Sequence, residues 1–336
     1  MTVRKPIVII AEAGVNHNGS LAAAQELVKV AADCGADYVK FQTFSAIDVV
    51  TQYADLAEYQ KAGASNKTQY EMLSGLELKQ EWHYVLMEVA KTEGIKFLTT
   101  SFDLDSAQFV ESLGLGIFKI PSGEIINLPY LRFIGNLNRQ ILLSTGMSTL
   151  GEIEAALNVL EKAGTAREKI TLLHCVTEYP APIEEANLAV IPTLKTSFGV
   201  DVGYSDHTLG TVAPIAAAAL GASVIEKHFT LDRNAEGPDH RASLEPYELV
   251  AMVKGIRQVE QSLGSGFKVP SPSEIKNREI ARRSIVARTE IKKGEIFSEK
   301  NLTTKRPGNG ISPMRIDDLI GRDAPRNFGI DELIEI

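Results

Sequence analysis

Short runs of β-branched and other apolar residues recur along the chain, and longer stretches with apolar positions at helical spacing separate them. The runs cover residues 7–12 (IVIIAE), 37–42 (DYVKFQ), 95–100 (IKFLTT), 116–120 (GIFKI), 140–144 (QILLS), 170–176 (ITLLHCV), 200–204 (VDVGY) and 223–228 (SVIEKH). Helix-period segments such as LAAAQELVKVAADCG follow the first run, and LKQEWHYVLMEVAKTEG precedes the third. Eight strand–helix units in this rhythm predict an α/β fold of the (β/α)8 TIM-barrel type. The doubly wound open sheet fits less well. It carries a Gly-rich phosphate turn after its first strand, whereas AEAGVNHNG stands there in this chain.

Two stretches break the rhythm. Residues 45–74 are too long for an ordinary strand-to-helix connection, which predicts a lid or binding loop on the rim of an active site. The Gly-, Pro- and Ser-rich segment GSGFKVPSPSEIKN predicts a linker. The expected organisation is therefore a barrel over residues 1–265, a linker over 266–281 and a small β-rich domain over 282–336. Short β-type runs (SIVARTEI, EIFS, LTTKRPG) mark that last domain.

Composition changes this picture little. The chain of 336 residues is 44% hydrophobic and 23% charged, so a packed globular protein is expected. A formal charge of −8 argues against a general nucleic-acid or membrane-surface binder, though a local cluster of Lys and Arg can still attract an anion. Cys34 and Cys175 stand far apart in apolar settings. No disulfide framework or four-ligand zinc site is implied, and a reducing cytoplasmic setting fits. The start MTVRKPIVII reads directly into a strand, with neither a signal peptide nor a spanning segment in view.

In a barrel enzyme, catalytic groups sit at the C-terminal ends of the strands. Those ends are polar in this chain: Glu12, Lys40 and Gln42, Thr100 and Ser101, Lys119 and Ser122, Ser144 and Thr145, His174 and Thr177, Ser205 with Asp206 and His207, and Glu226 with His228. Solvation of strand ends explains hydroxyls, but it poorly explains lysines and histidines inside β-branched runs. Neutral imidazoles at His207 and His228, on adjacent strands, suit one shared divalent ion with open positions. Glu226 suits a partner of those ligands or a substrate contact. Lys40 and Lys119, with nearby serine hydroxyls, suit a phosphate and a carboxylate. A Schiff-base lysine is the rival chemistry, because a second cation helps to lower the pKa of the first. Asn16 and His17 read as shaping the first turn, and Trp82 and His83 as packing or surface residues of a helix.

The segments AEAGVNHNGSL, GADYVKFQTF, FKIPSGE, LHCVTEYPAP, VGYSDHTLG, VIEKHFTLD, GPDHRASLEP and KRPGNGISP occur in this order. Together they resemble the bacterial sialic acid (N-acetylneuraminate) synthase family over essentially the whole chain, and the C-terminal segment resembles that family's antifreeze-like (SAF) domain. The resemblance implies a cytoplasmic enzyme, a transferase that forms a carbon–carbon bond between phosphoenolpyruvate and an N-acetylated amino sugar. It implies that His207 and His228 bind a divalent ion, Mn2+ first with Mg2+ or Co2+ as substitutes. Lys40, Lys119, Ser122, Ser144 and Ser205 would hold phosphoenolpyruvate. Glu12, Gln42, Tyr179 and Asp239 would contact the sugar, with Glu12 also acting in catalysis. Arg306 would reach the N-acetyl group in the neighbouring subunit of a domain-swapped homodimer. Thr177 departs from the family, some members of which place Asn there. The acceptor expected first is N-acetylmannosamine, giving sialic acid. The alternative is 2,4-diacetamido-2,4,6-trideoxymannose, giving legionaminic acid, and the pseudaminic acid branch looks less similar. A pyruvate aldolase and a non-enzymatic carbohydrate- or ice-binding protein are the readings from other classes.

Overall fold

A computed structural model of the chain describes residues 5–56 and 68–336. It divides into two compact units, one ending at Gly264 and the other beginning at Ser265. In the first unit, eight parallel strands close into a barrel in sequence order. They are β1 (Val8–Gly14), β2 (Tyr38–Thr43), β3 (Lys96–Ser101), β4 (Ile117–Ile120), β5 (Gln140–Ser144), β6 (Ile170–His174), β7 (Asp201–Asp206) and β8 (Val224–His228). The ring closes where β1 pairs with β8, setting Ile10 beside Glu226 and Glu12 beside His228.

The outer layer includes helices α1 (Leu21–Asp33), α2 (Ala46–Val49), α3 (Gln69–Ser74), α4 (Gln80–Glu93), α5 (Leu104–Ser112), α6 (Leu128–Asn136), α7 (Leu150–Ala163), α8 (Val190–Phe198), α9 (Val212–Ala219) and α10 (Pro246–Ser262). Local sequence explains their limits. Helix α1 starts where the Ser20 hydroxyl accepts from the Ala23 N–H, and it buries Ala24, Leu27, Val28 and Ala31, the i, i+3, i+4, i+7 stripe of a one-sided helix. Helix α7 opens on a reciprocal Thr149–Glu152 capping box, and α4 stops at Gly94, whose φ of +74° suits a residue without Cβ.

Alternation along the strands produces two cores. Side chains pointing outward pack beneath the helices as the large apolar layer. Side chains pointing inward include Ile10, Leu98, Leu142, Leu173 and Val224, an apolar plug inside the barrel. Because strand side chains repeat with period two, the next inward residues beyond this plug are Glu12, Thr100, Ser144, Cys175 and Glu226. The apolar plug thus forms the floor beneath a polar layer at the C-terminal strand ends.

The second unit holds α11 (Pro272–Ala281), β9 (Ser284–Ala287) and β10 (Leu302–Lys305), the two strands pairing antiparallel. Its core gathers Ile285, Ile291, Phe297, Leu302, Leu319 and Phe328, all nearly inaccessible. Two features differ from the sequence expectation. Part of the expected linker is helix, since Ser271 caps it, Pro272 occupies its first turn and Glu274 completes a capping box. The β-type run EIFS contributes only an isolated bridge, Ile296 to Asp323, so among the described residues this unit is held more by its apolar core than by strand ladders.

Candidate active site

The C-terminal ends of the barrel strands surround a cavity of about 390 Å³. Glu12, Lys40, Gln42, Lys119, Ser122, Ser144, Tyr179, Ser205, His207, His228 and Asp239 all line it. Arg306 stands in the second unit, exposed on the segment after β10.

Four buried charges form the cavity's deepest layer. Lys40 Nζ lies 2.7 Å from Glu12 Oε2 and 3.7 Å from Glu226 Oε2, and it donates to Thr100 Oγ1 at 2.8 Å. Lys119 Nζ lies 3.3 Å from Glu226 Oε1, which also accepts from the Ser205 hydroxyl at 2.9 Å. Burial pushes Glu226 upward, yet Lys119, Lys40 and the Ser205 bond outweigh it and hold the carboxyl at about 2. Burial dominates at Glu12, raising it to about 7 although Lys40 opposes the rise. Burial also depresses Lys119, while for Lys40 the two carboxylates overcome desolvation and raise it. With both lysines protonated and Glu226 ionised, the layer carries one net positive charge when Glu12 is neutral. An anion entering the cavity meets two ammonium groups that only one full carboxylate balances.

The two histidines stand at the ends of β7 and β8, His228 in register with Glu12. His207 Nδ1 donates to the Val176 carbonyl at 2.5 Å; a carbonyl only accepts, so Nε2 keeps its lone pair. Burial holds His207 near 4 and His228 well below the usual imidazole range, so both rings are neutral at neutral pH. Their centroids lie 5.6 Å apart, and Tyr179 packs on His207 at 4.1 Å. His228 Nδ1 is buried without a hydrogen-bond partner, 3.7 Å from Asp239 Oδ2. Burial raises Asp239 to about 6. Two neutral imidazoles with an orphaned ring nitrogen suit a divalent ion that takes its remaining ligands from water and substrate. Among the described residues no three His, Cys, Asp or Glu side chains converge on one metal position.

Two glycines are required by close approach. A Cβ at Gly14, whose φ is +53°, would stand 3.1 Å from the His228 ring and 3.3 Å from Asp239. A Cβ at Gly146 would stand 2.2 Å from Thr177 Oγ1 and 2.8 Å from Ser122 Oγ. The Gly146 N–H instead donates to Ser122 Oγ at 2.9 Å.

Several polar strand ends face away from the cavity. His174 Nε2 donates to the Ala186 carbonyl at 2.9 Å, and its neighbour Cys175 lines the cavity instead. Asp206 pairs with Lys227 at 2.6 Å on the outer face of the barrel, both side chains fully buried. His17 and His83 are buried: the His83 ring meets Thr43 Oγ1 at 2.6 Å, and His17 Nδ1 accepts from the Gly19 N–H. Glu226 is the hub that sequence reasoning left undecided between two roles; its inward parity with His228 along β8 is the signal that locates it.

Residues 27–268 match the NeuB family, and residues 282–335 match the SAF domain. The chain belongs to the NeuB family. It is 57% identical to the N,N'-diacetyllegionaminic acid synthase of Campylobacter jejuni, over 98% of this chain and 99% of that one. It is 47% identical to the synthase of the same name from Legionella pneumophila, over 95% and 91% of the two chains. Among solved structures, the sialic acid synthetase of Leptospira borgpetersenii matches with a TM-score of 0.72 and 33% identity, covering 81% of this chain and 90% of that chain. As a NeuB-family member the chain is an enzyme, a nonulosonic acid synthase of the transferase type, which removes the aldolase and ice-binding alternatives. Among the described residues no helix is long and apolar enough to cross a membrane.

Proposed function

We propose that this NeuB-family enzyme condenses phosphoenolpyruvate with the open-chain aldehyde of 2,4-diacetamido-2,4,6-trideoxymannose, giving N,N'-diacetyllegionaminic acid and phosphate. The motifs alone favour N-acetylmannosamine as acceptor. The near full-length likeness to two diacetyllegionaminic acid synthases moves the reading to the diacetamido sugar. The observation that carries the chemistry is the meeting, in one cavity, of a buried lysine–serine floor and two neutral imidazoles.

In this reading Lys40 and Lys119, with Ser122, Ser144 and Ser205, hold the phosphate and carboxylate of phosphoenolpyruvate by charge-assisted hydrogen bonds. Gln42, Tyr179, Asp239 and Glu12 hold the sugar. His207 and His228 would hold Mn2+, whose chemistry is to polarise the aldehyde oxygen as a Lewis acid. C3 of phosphoenolpyruvate forms a bond to the aldehyde carbon, and the aldehyde oxygen takes a proton to become a hydroxyl. The C2–C3 π pair supplies that bond, water adds at the electron-poor C2, and the C2–O bond to phosphate breaks as C2 becomes a carbonyl, the two protons of the water balancing the one taken by the aldehyde oxygen and one taken by the departing phosphate. Glu12, raised to about 7, can hold or release a proton at neutral pH and so suits the proton transfers at this rim. We further propose a domain-swapped homodimer in which Arg306 binds an acetamido oxygen in the neighbouring subunit, and a reducing cytoplasmic setting, to which two free buried cysteines are suited.

The test is phosphate release from phosphoenolpyruvate with each acceptor in the presence of Mn2+, before and after chelation. The diacetamido sugar should give the highest kcat/KM, and chelation should abolish release until Mn2+ is restored. A higher kcat/KM with N-acetylmannosamine would overturn the acceptor assignment; undiminished release from chelated enzyme would overturn the metal.

A further inference from the structure

The polar floor accounts for one side of the cavity, but another side of its lining is apolar. Val15 follows β1, Phe44 follows β2, and Phe102 follows β3; Met72, Leu73 and Leu76 come from the far end of the long β2 connection. These residues pack together as a cluster distinct from both barrel cores, and Phe44 meets Phe102 edge to face at 6.0 Å. The wall is anchored at both ends of that connection. The Ala46 N–H donates to Glu77 Oε1 at 2.7 Å, the Ser45 N–H donates to Asp103 Oδ2 at 3.2 Å, and a Thr68–Glu71 capping box opens the short helix carrying Met72 and Leu73.

Its position in the ring matters. In a closed ring of eight strands taken in order, β3 lies opposite β7, and β7 leads to His207. The β1 end adjoins His228, so an acceptor whose aldehyde reacts beside the histidines and the phosphoenolpyruvate floor would extend its far carbons across the mouth toward the rim of β2 and β3. The carbon farthest from the reacting one is C6. A hydroxyl there would face mainly Phe, Met and Leu side chains, which offer it no hydrogen bond, with Gln69 the polar residue that the same short helix adds to the lining, whereas a methyl group would be at home.

We propose that the wall formed by Phe44, Met72, Leu73, Leu76 and Phe102 is the specificity element for the acceptor, receiving the C6 methyl group and disfavouring a C6 hydroxyl. The inference rests on the proposed condensation and deepens it by naming the residues that select a 6-deoxy sugar. Pockets of this kind discriminate against an added hydroxyl by about 10²-fold.

The experiment compares 2,4-diacetamido-2,4,6-trideoxymannose with its 6-hydroxy counterpart, a pair identical except at C6, by phosphate release at saturating phosphoenolpyruvate. Wild-type enzyme should favour the 6-deoxy sugar about 100-fold in kcat/KM. Leu73→Gln, at a half-buried position, and Met72→Gln should each reduce that ratio to about 10 or below by offering the hydroxyl a partner, with KM for phosphoenolpyruvate unchanged. A wild-type ratio near 1, or a high ratio that survives in both folded variants, would overturn the wall as selector. No release with the 6-deoxy sugar, while N-acetylmannosamine is turned over, would instead strike the acceptor reading, and the inference with it.

Discussion

The Asp206–Lys227 pair offers a direct test of how the barrel aims its histidines. Both side chains are fully buried on the outer face of β7 and β8, with Nζ 2.6 Å from Oδ2, and Lys227 also donates to the Thr208 carbonyl. Asp206 Oδ1 accepts from the Tyr204 hydroxyl at 3.0 Å and from the Thr208 N–H at 2.9 Å. The pair therefore clamps the turn on which His207 stands and fastens it to the strand that ends in His228. Lys227→Met keeps most of the side-chain volume but leaves Asp206 buried beside an apolar chain. Removing one partner of a buried ion pair costs about 3–5 kcal/mol. At about 2–4 °C per kcal/mol for a unit of this size, the expected fall in Tm is about 6–20 °C. Thermal unfolding followed by circular dichroism reads the fall, and kcat/KM at a temperature where the variant stays folded reads the misplaced imidazole. The double variant Asp206→Asn, Lys227→Met removes the stranded charge and should lose less stability than the sum of the single variants, by about 0.5–3 kcal/mol. A single variant that loses less than about 1 kcal/mol, or strict additivity in the double, would refute the clamp.

Burial pushes the Glu12 carboxyl up to about 7 against the pull of Lys40, and its ionisation takes the floor from one net positive charge to none. KM for phosphoenolpyruvate should accordingly rise as pH increases through about 7, and Glu12→Gln should flatten that rise; an unchanged inflection in the variant would assign it to another group. Lys119→Met should raise KM for phosphoenolpyruvate or abolish turnover, since losing one charged hydrogen bond of about 1.5–3 kcal/mol corresponds to roughly 10–100-fold. Borohydride with pyruvate should trap no adduct on Lys119, and a trapped adduct would restore Schiff-base chemistry.

The barrel is legible in the chain because each strand is buried on both faces and so appears as a compact apolar run. That same property hides which residues face inward in β6. ITLLHCV is apolar on both parities, so nothing local separates His174, bonded to a loop carbonyl, from Cys175, which lines the cavity. In β8 the ionisable residues mark the parity: Glu226 and His228 share a face, and Lys227 takes the other, where it pairs with Asp206. The helix Pro272–Ala281 was illegible for a different reason. Ser and Pro mark linkers, yet Ser at the cap and Pro in the first turn also start helices, and the deciding signal is Glu274, three residues after Ser271.

The acceptor could not be read from the reacting residues, and the cavity shows why. In the proposed reading, lysines and serines act on the phosphate and carboxylate of phosphoenolpyruvate, and the imidazoles serve the aldehyde that every candidate sugar shares. The groups that separate the candidates, at C4 and C6, sit several bonds from the reacting carbon, and in the proposed reading the one at C6 meets side chains beyond the strand ends. In the proposed reading those side chains include Met72, Leu73 and Leu76, on and just after a helix of only six residues, too short for its period to stand out in the sequence. Their apolar character gains meaning only when the fold brings them beside Phe44 and Phe102, facing one cavity. Reaction type is thus written in local motifs at the strand ends, while in the proposed reading acceptor choice is written in a surface assembled from the two connections after β2 and β3.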